Sequence, residues 1–210
     1  MDIIRKEELT QILDEIVTTM EGAKDELIEL DGAMGDGDLG LTMVKGFTAV
    51  AEEIRTLDET DIGKIMMKLG LKMNATAPST MGTLVSTCFL KAAPAAKGKT
   101  ELTLADMVEM GRGAVAGVME RGKSKPGDKT MLDALYPAVE ALGAAAAAGD
   151  SLTDAWQKAY EAAKDGMEKT TSMQSVHGRA AYYQEKSVGR QDPGATAMMY
   201  IVSGIAKAVR

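Results

Sequence analysis

The stretch Asp31-Gly-Ala-Met-Gly-Asp-Gly-Asp-Leu-Gly40 places three carboxylates and four glycines between two segments that both show helical periodicity. Glycine permits the tight, positive-φ turns that bring such side chains together. Three clustered carboxylates repel one another, and a hard divalent cation such as Mg²⁺ relieves the repulsion by accepting oxygen ligands. Two interpretations follow: Asp31, Asp36 and Asp38 form a Mg²⁺ site, or the loop is a solvated acidic turn that caps the next helix.

The composition favours a single all-α domain, spanning 1–210, built from strong helix formers such as Ala, Met, Leu, Lys and Glu. The net charge is −7 and no basic block is present, which argues against nucleic acid and membrane partners. No apolar run approaches the roughly 20 residues of a membrane span, and no signal-peptide pattern is found, so we expect a cytoplasmic protein. The single cysteine, Cys88, lies in an apolar stretch and is interpreted as a core thiol.

The spacing of apolar residues and the positions of helix-capping and helix-breaking residues predict eight helices and no strand. Thr103 and Ser151 precede apolar helical patterns and are predicted N-caps. Pro137 falls inside the sixth segment and is expected to kink it. The predicted helices span 4–29, 40–56, 61–75, 82–96, 103–120, 129–147, 151–171 and 195–209.

The connections between these helices alternate strictly between two kinds. Those near 57–60, 97–102 and 148–150 are short and plain, whereas the others are rich in Gly, Pro, Asp, Ser and Thr. In an up-and-down array successive helices are antiparallel, so every second connection lies at the same end. We therefore expect the rich loops to meet at one end and to carry the function. They are 31–38, 77–82, 121–130 and 172–194.

The second rich loop leads directly into a predicted helix, where backbone N–H groups and hydroxyls can bind an anion. Ser79, Thr80 and Gly82 are the candidates for such contacts. Simple capping of the helix is the alternative interpretation for the same residues.

The other two rich loops contribute cations. Arg179 and Arg190 lie in the long loop, and a solvated basic turn is the alternative for the 121–130 loop. Together with the acidic loop, these groups describe a site for Mg²⁺ bridging phosphate oxygens, without a Walker A or dinucleotide-binding fingerprint. His177, the one histidine, is interpreted as exposed or loop-stabilising. The cations of the 121–130 loop are Arg121, Lys123, Lys125 and Lys129.

Four motifs, taken in order, resemble the nucleotide-binding L subunit of dihydroxyacetone kinase over nearly the whole chain. The resemblance implies a closed barrel of eight antiparallel helices with the nucleotide at one end. The motifs are Gly35–Met43, Arg121–Met131, Gly178–Tyr182 and Gln191–Thr196.

The resemblance also implies the residues of the site. Asp31, Asp36 and Asp38 hold two Mg²⁺ ions that bridge the phosphates of ADP or ATP. No catalytic residue is separable from the nucleotide site. The residues implied to surround the nucleotide are Leu39, Gly40, Thr42, Ser79, Thr80, Met81, Gly82, Gly122, Met131, Arg179, Asp192, Pro193 and Gly194.

In the family, a separate K subunit binds the ketose covalently through its own histidine, and the L subunit delivers the phosphoryl group. In the phosphotransferase-system-dependent type, ADP stays bound and a phosphohistidine M subunit recharges it, while other relatives exchange ATP. The resemblance thus implies a kinase subunit of glycerol metabolism with K and M partners. A transcription regulator is a further partner to be considered.

Three positions depart from the family pattern. Leu39 replaces a common His, Thr42 replaces a common Asn, and Pro78-Ser-Thr-Met-Gly82 replaces a Gly-Gly-x-Ser-Gly turn. These differences concern the ketose, the partner and the nucleotide affinity rather than the fold. The alternatives are therefore a paralogous subunit for another small ketose, a non-catalytic nucleotide-sensing regulator, and a helical domain that binds metal without nucleotide.

Overall fold

A computed structural model describes residues 3–210, and the regular elements of this part of the chain are helices, which confirms the predicted all-α class. The only β contact within it is a single bridge between Ile4 and Leu102. Short 3₁₀ turns occupy Ala93–Ala96, Thr170–Ser172 and Arg179–Ser187. The helices are α1 (Lys6–Gly32), α2 (Leu39–Thr56), α3 (Ile62–Thr76), α4 (Thr80–Ala92), α5 (Leu104–Gly122), α6 (Leu132–Ala148), α7 (Leu152–Lys169) and α8 (Pro193–Ala208).

The helices form a closed cycle of contacts, because each packs against the next in the chain and α8 packs against α1. Tyr200 donates to Glu26 at 2.5 Å, and Lys207 donates to Thr19 at 3.2 Å, so α1 and α8 are antiparallel. Methionine fills much of the interior, where its unbranched side chain adapts to irregular gaps. Three examples with no exposed surface are Met20, Met43 and Met73.

The predicted N-caps are confirmed. Thr103 Oγ1 accepts from the Asp106 N–H at 3.3 Å, and Ser151 Oγ accepts from the Asp154 N–H at 3.1 Å. Each bond satisfies one of the orphan N–H groups that open a helix.

Helix α6 begins at Leu132, three residues later than predicted. The cause is Asp133, whose carboxylate accepts from the N–H groups of Gly127 and Thr130 and holds the preceding residues in a turn. Pro137 lies inside α6, which continues through it to Ala148. The structure also adds the 3₁₀ turn Arg179–Ser187 to a segment predicted as loop.

Cys88 packs against the hydrophobic core from its position on α4, as the sequence indicates. Burial raises the pKa of its thiol to about 12, so the thiol stays protonated at neutral pH. Within residues 3–210, no helix combines the length and the apolar character that crossing a bilayer requires.

Candidate functional site

The four rich loops all contribute to one open cleft with a volume of about 1080 Å³. This volume is slightly above the roughly 300–1,000 Å³ found for small-molecule sites. The alternation of short, plain loops with loops rich in Gly, Pro, Asp, Ser and Thr thus correctly predicts that the latter meet at one end of the helical array. Lining residues come from 30–39, 78–84, 121–131 and 175–194, together with Asn74 on α3.

Three carboxylates form one wall of the cleft. Each of Asp31, Asp36 and Asp38 offers an oxygen, and these oxygens lie within 4.8 Å of one another. Asp31 sits in the last turn of α1, and its Oδ2 accepts from the N–H groups of Asp38 (3.0 Å) and Leu39 (3.3 Å). The carboxylate therefore joins the C-terminus of α1 to the N-terminus of α2 and is held in a fixed orientation. An oxygen-only donor set of this kind suits a hard divalent cation.

The glycines of the acidic loop are required by this geometry. A Cβ on Gly35 would lie 2.2 Å from Asp31 Oδ1 and 2.8 Å from the Asp31 carbonyl oxygen. Gly37 has a φ of 73°, in the left-handed region that favours glycine. The loop can thus bring its three carboxylates together only because these positions lack side chains.

Negative charge accumulates at this wall, and one arginine offsets part of it. Burial, followed by the charges of Asp36 and Asp31, raises the pKa of Asp38, while Arg179 lowers it. The negative end of the α1 dipole adds to the same field. Arg179 reaches across from the long loop, with Nη2 2.8 Å from Asp36 Oδ2. The charges of the site therefore favour the binding of a cation at the carboxylates.

The N-terminus of α4 forms a second wall. Ser79 is its N-cap, and the hydroxyl accepts from the Gly82 N–H at 3.0 Å, so the capping interpretation holds for this residue. Thr80 and Met81, in the first turn, line the cleft. The unpaired N–H groups and the dipole of a helix N-terminus attract phosphate and other anions.

The N-terminus of α8 forms the third wall. Asp192 is its N-cap, and Oδ2 accepts from the Ala195 N–H at 2.7 Å. Burial raises the pKa of the Asp192 carboxyl to about 7, with a further rise from Asp133 and an opposing effect of Lys129. Gly194 lies close to the opposite loop, since a Cβ there would be 3.5 Å from the Met131 nitrogen.

Most of the residues implied by the family resemblance line the cleft, but three do not. A Cβ on Gly40 would lie 2.2 Å from the Lys24 carbonyl oxygen, and one on Gly82 would lie 2.0 Å from that of Ala77, so both glycines permit close packing. Thr42 continues α2, its N–H donating to the Asp38 carbonyl at 2.9 Å. Those that line the cleft are Asp31, Asp36, Asp38, Leu39, Ser79, Thr80, Met81, Gly122, Met131, Arg179, Asp192, Pro193 and Gly194.

The 121–130 loop is not simply a solvated basic turn, because two of its charged residues, Asp128 and Lys129, are buried, and the sequence does not predict this burial. Asp128 is buried and accepts from Lys125, and its Oδ2 lies 3.2 Å from His177 Nε2. His177 therefore stabilises the loop, as interpreted from sequence. Lys129 is only 2% exposed. Nothing in the local pattern separates this lysine from its exposed neighbours, because its partners lie in the long loop.

Comparison with known proteins agrees with this architecture. The chain is 38% identical to the ADP-binding subunit DhaL of the PEP-dependent dihydroxyacetone kinase of Escherichia coli K12, over 88% of both proteins. It is 31% identical to the D-erythrulose kinase of Mycolicibacterium smegmatis, over 96% of this chain and 35% of that protein.

Solved structures show the same fold. The native dihydroxyacetone kinase of Citrobacter freundii matches with a TM-score of 0.70 and 25% identity, over 94% of this chain and 34% of that one. The same kinase in complex with AMP-PNP and Mg²⁺ matches with a TM-score of 0.72 and 24% identity, over 94% and 33%. The resemblance seen in the four sequence motifs is confirmed. Residues 33–207 match the DAK2 domain, and the chain belongs to the DAK2-domain family.

Proposed function

We propose that this chain is the nucleotide-holding subunit of a dihydroxyacetone-type kinase and that it takes part in phosphoryl transfer to a small ketose. The observation that carries the proposal is the cleft itself, in which an acidic cluster, the N-terminus of α4 and Arg179 face one another. Such a set of groups suits a nucleotide whose phosphates are shared between Mg²⁺, backbone N–H groups and a guanidinium. The similarity to a kinase subunit named for ADP binding supports the same ligand.

Asp31, Asp36 and Asp38 would hold Mg²⁺, because their carboxylate oxygens converge and the cluster contains no nitrogen ligand. We propose that two ions bind there. Bound Mg²⁺ neutralises the charge of the phosphoryl oxygens during transfer. The protein's own contribution is positioning: α4 presents fixed N–H donors, and Asp31 keeps its orientation through two backbone bonds. The nucleotide would lie between the walls formed by α4 and α8.

We further propose that the chain retains ADP, which a phosphohistidine M subunit recharges, and that a K subunit presents the ketose. The test is to denature freshly purified protein and to identify released nucleotide by chromatography and mass spectrometry. We expect ADP close to one per chain. A chain that is isolated empty and takes up Mg-ATP would instead be an exchanging kinase subunit, and one that binds neither nucleotide would refute the proposed function.

A second candidate is a paralogous subunit for a different small ketose. It is favoured by Leu39, which lines the cleft where the family commonly has His, and by the similarity to a D-erythrulose kinase. Reconstitution with purified K and M partners, supplied with dihydroxyacetone or erythrulose in parallel, separates the two. The better substrate is the one with the higher kcat/KM.

Gly35→Ala is expected to weaken Mg²⁺-dependent nucleotide binding by about tenfold to 100-fold, the range seen when a support of a metal ligand is lost. The new Cβ would meet Asp31 Oδ1 and displace the carboxylate from its two backbone donors. Titration calorimetry with Mg-ADP measures the effect. Gly32→Ala is the matched control, because its Cβ would meet only the Gly37 Cα, at 3.8 Å. Equal affinities for the two variants would contradict this role of Gly35.

A further inference from the structure

The long loop between α7 and α8 forms a flap, defined here as residues 173–190. Its two ends are joined at the base, where the Gly189 N–H donates to the Thr171 carbonyl at 2.7 Å and the Ser175 N–H donates to Ser187 Oγ at 2.9 Å. Its tip projects into solvent, and Tyr182 is 89% exposed. The flap carries Arg179, which contacts Asp36 on the opposite wall of the cleft.

The flap has little apolar packing of its own. Within its 3₁₀ turn Arg179–Ser187, only Ser187 is buried, and Gln184 interrupts the turn with a φ of 49°. A segment with few buried apolar contacts opens at low free energy unless other bonds hold it. The order of the flap must therefore come from polar contacts with the rest of the chain.

Lys129 supplies the most concentrated set of these contacts. Its ammonium donates to the carbonyls of Met173 (3.1 Å), Ser187 (2.5 Å) and Arg190 (2.6 Å), one from the first limb of the flap and two from the second. An ammonium has three N–H donors, and all three are used. The φ of Lys129 is 60°, a conformation uncommon for residues other than glycine. The backbone thus adopts an unfavourable shape that aims this side chain into the flap.

Asp128, the residue before Lys129, also bonds to the flap. The Asp128 carbonyl accepts from the Val176 N–H at 3.3 Å, while its carboxylate contacts His177 at 3.2 Å. Asp128 and Lys129 together bond to both limbs of the flap and connect it to the 121–130 loop.

We propose that Lys129 is a positioning residue that holds the flap, and with it Arg179, over the acidic cluster, and so sets how long a nucleotide stays bound. The inference rests on the proposed function, since the ligand retained is the Mg-nucleotide. Lys129 acts through the flap and its arginine. Loss of the ammonium leaves three carbonyls without their charged donor, and charge-assisted bonds are among the stronger hydrogen bonds in proteins.

The test compares Lys129→Met with Lys123→Met. Lys123 is a matched control, because it lies in the same loop, has a similar φ of 51° and carries the same charge. The structure leaves it exposed and outside the lining of the cleft, although the sequence counted it among the candidate cations. Amide hydrogen exchange of the nucleotide-free protein and displacement of fluorescent Mg-ADP are measured on both. We expect Lys129→Met to speed exchange in the flap and nucleotide release by about tenfold each, with exchange in the eight helices unchanged. Lys123→Met is expected to match the wild type.

Chemical rescue distinguishes the ammonium from side-chain volume. Lys129→Cys, made together with Cys88→Ala, is alkylated with 2-bromoethylamine, which restores an ammonium on a side chain of nearly the original length. Alkylation should return both flap exchange and nucleotide release toward wild-type values.

Each other outcome overturns the inference. Unchanged flap exchange in Lys129→Met would show that the ammonium does not hold the flap, and faster exchange without faster release would show that the flap does not retain nucleotide. Loss of helicity in Lys129→Met would show that Lys129 stabilises the whole fold and not the flap in particular. A wild-type chain that fails to bind Mg-ADP refutes the proposed function, whereas normal wild-type binding with unchanged release from Lys129→Met refutes this inference alone.

Discussion

Asp36→Asn is expected to weaken Mg-ADP binding by about 100-fold or more, since loss of a direct ligand should exceed the loss of a supporting residue. Within residues 3–210, Asp36 pairs only with Arg179, and both side chains are about half exposed. The substitution therefore removes the negative charge and one cation-binding oxygen, together with a partly exposed ion pair of a kind that contributes little to stability. Asp31 is a less informative target, because its carboxylate also joins α1 to α2. Titration calorimetry with Mg-ADP measures the change, and circular dichroism checks that helicity is retained.

Asp25→Asn is the matched control for this prediction. Asp25 lies on α1, its side chain is 93% exposed, and it does not line the cleft. Each variant loses one negative charge. An equal loss of affinity in both would therefore reflect the net charge of the protein and not a direct contact between Asp36 and the metal. Unchanged affinity in Asp36→Asn would refute the acidic cluster as the metal site. Calorimetry with Mg²⁺ alone then separates a metal site that needs the nucleotide from one that does not.

Gly40→Ala is expected to lower the free energy of unfolding by about 3 kcal/mol, the upper part of the usual range for overpacking. The added Cβ would lie 2.2 Å from the Lys24 carbonyl oxygen and 3.0 Å from Ile28 Cγ1. Both atoms belong to α1, and a helix backbone cannot yield as a flexible side chain can. Urea denaturation measures the loss as a lower midpoint at an unchanged slope.

Gly22→Ala provides the comparison. Gly22 lies within α1, and a Cβ there meets nothing within 4 Å. Alanine is the better helix former by about 1 kcal/mol, so this variant should be as stable as the wild type or more stable. A Gly40→Ala protein of wild-type stability would show that α1 and α2 do not approach as closely as the structure places them.

The sequence predicts well those features that depend on local pattern. Helix periodicity, the caps at Thr103 and Ser151, and the alternation of plain and rich loops each follow from residues close together in the chain. The acidic cluster is likewise local, because Asp31, Asp36 and Asp38 fall within one turn. The sequence pattern predicts the start of α6 too early, because the Asp133 carboxylate accepts from the backbone N–H groups of Gly127 and Thr130 and holds those residues in a turn.

Features that join distant segments are not visible in the pattern. Lys129 looks like any other lysine of a basic loop, and its partners lie 44 to 61 positions away. The contact between Arg179 and Asp36 joins residues still further apart in the sequence. Motif resemblance also groups residues of different kinds, since it cannot separate a glycine such as Gly40, which packs between helices, from Gly194, which lines the cleft.

The closed cycle of helices has a consequence for the order in which the protein assembles. The contact between α1 and α8 joins residues as far apart as Thr19 and Lys207, 188 positions along the chain. Because six helices lie between α1 and α8 along residues 3–210, α1 leaves the ribosome well before its second neighbour has been made. Asp192 and Pro193 are made together with α8, long after Asp31 at the end of α1. The cleft is thus completed only when α8 packs against α1 and its N-terminal residues join the lining.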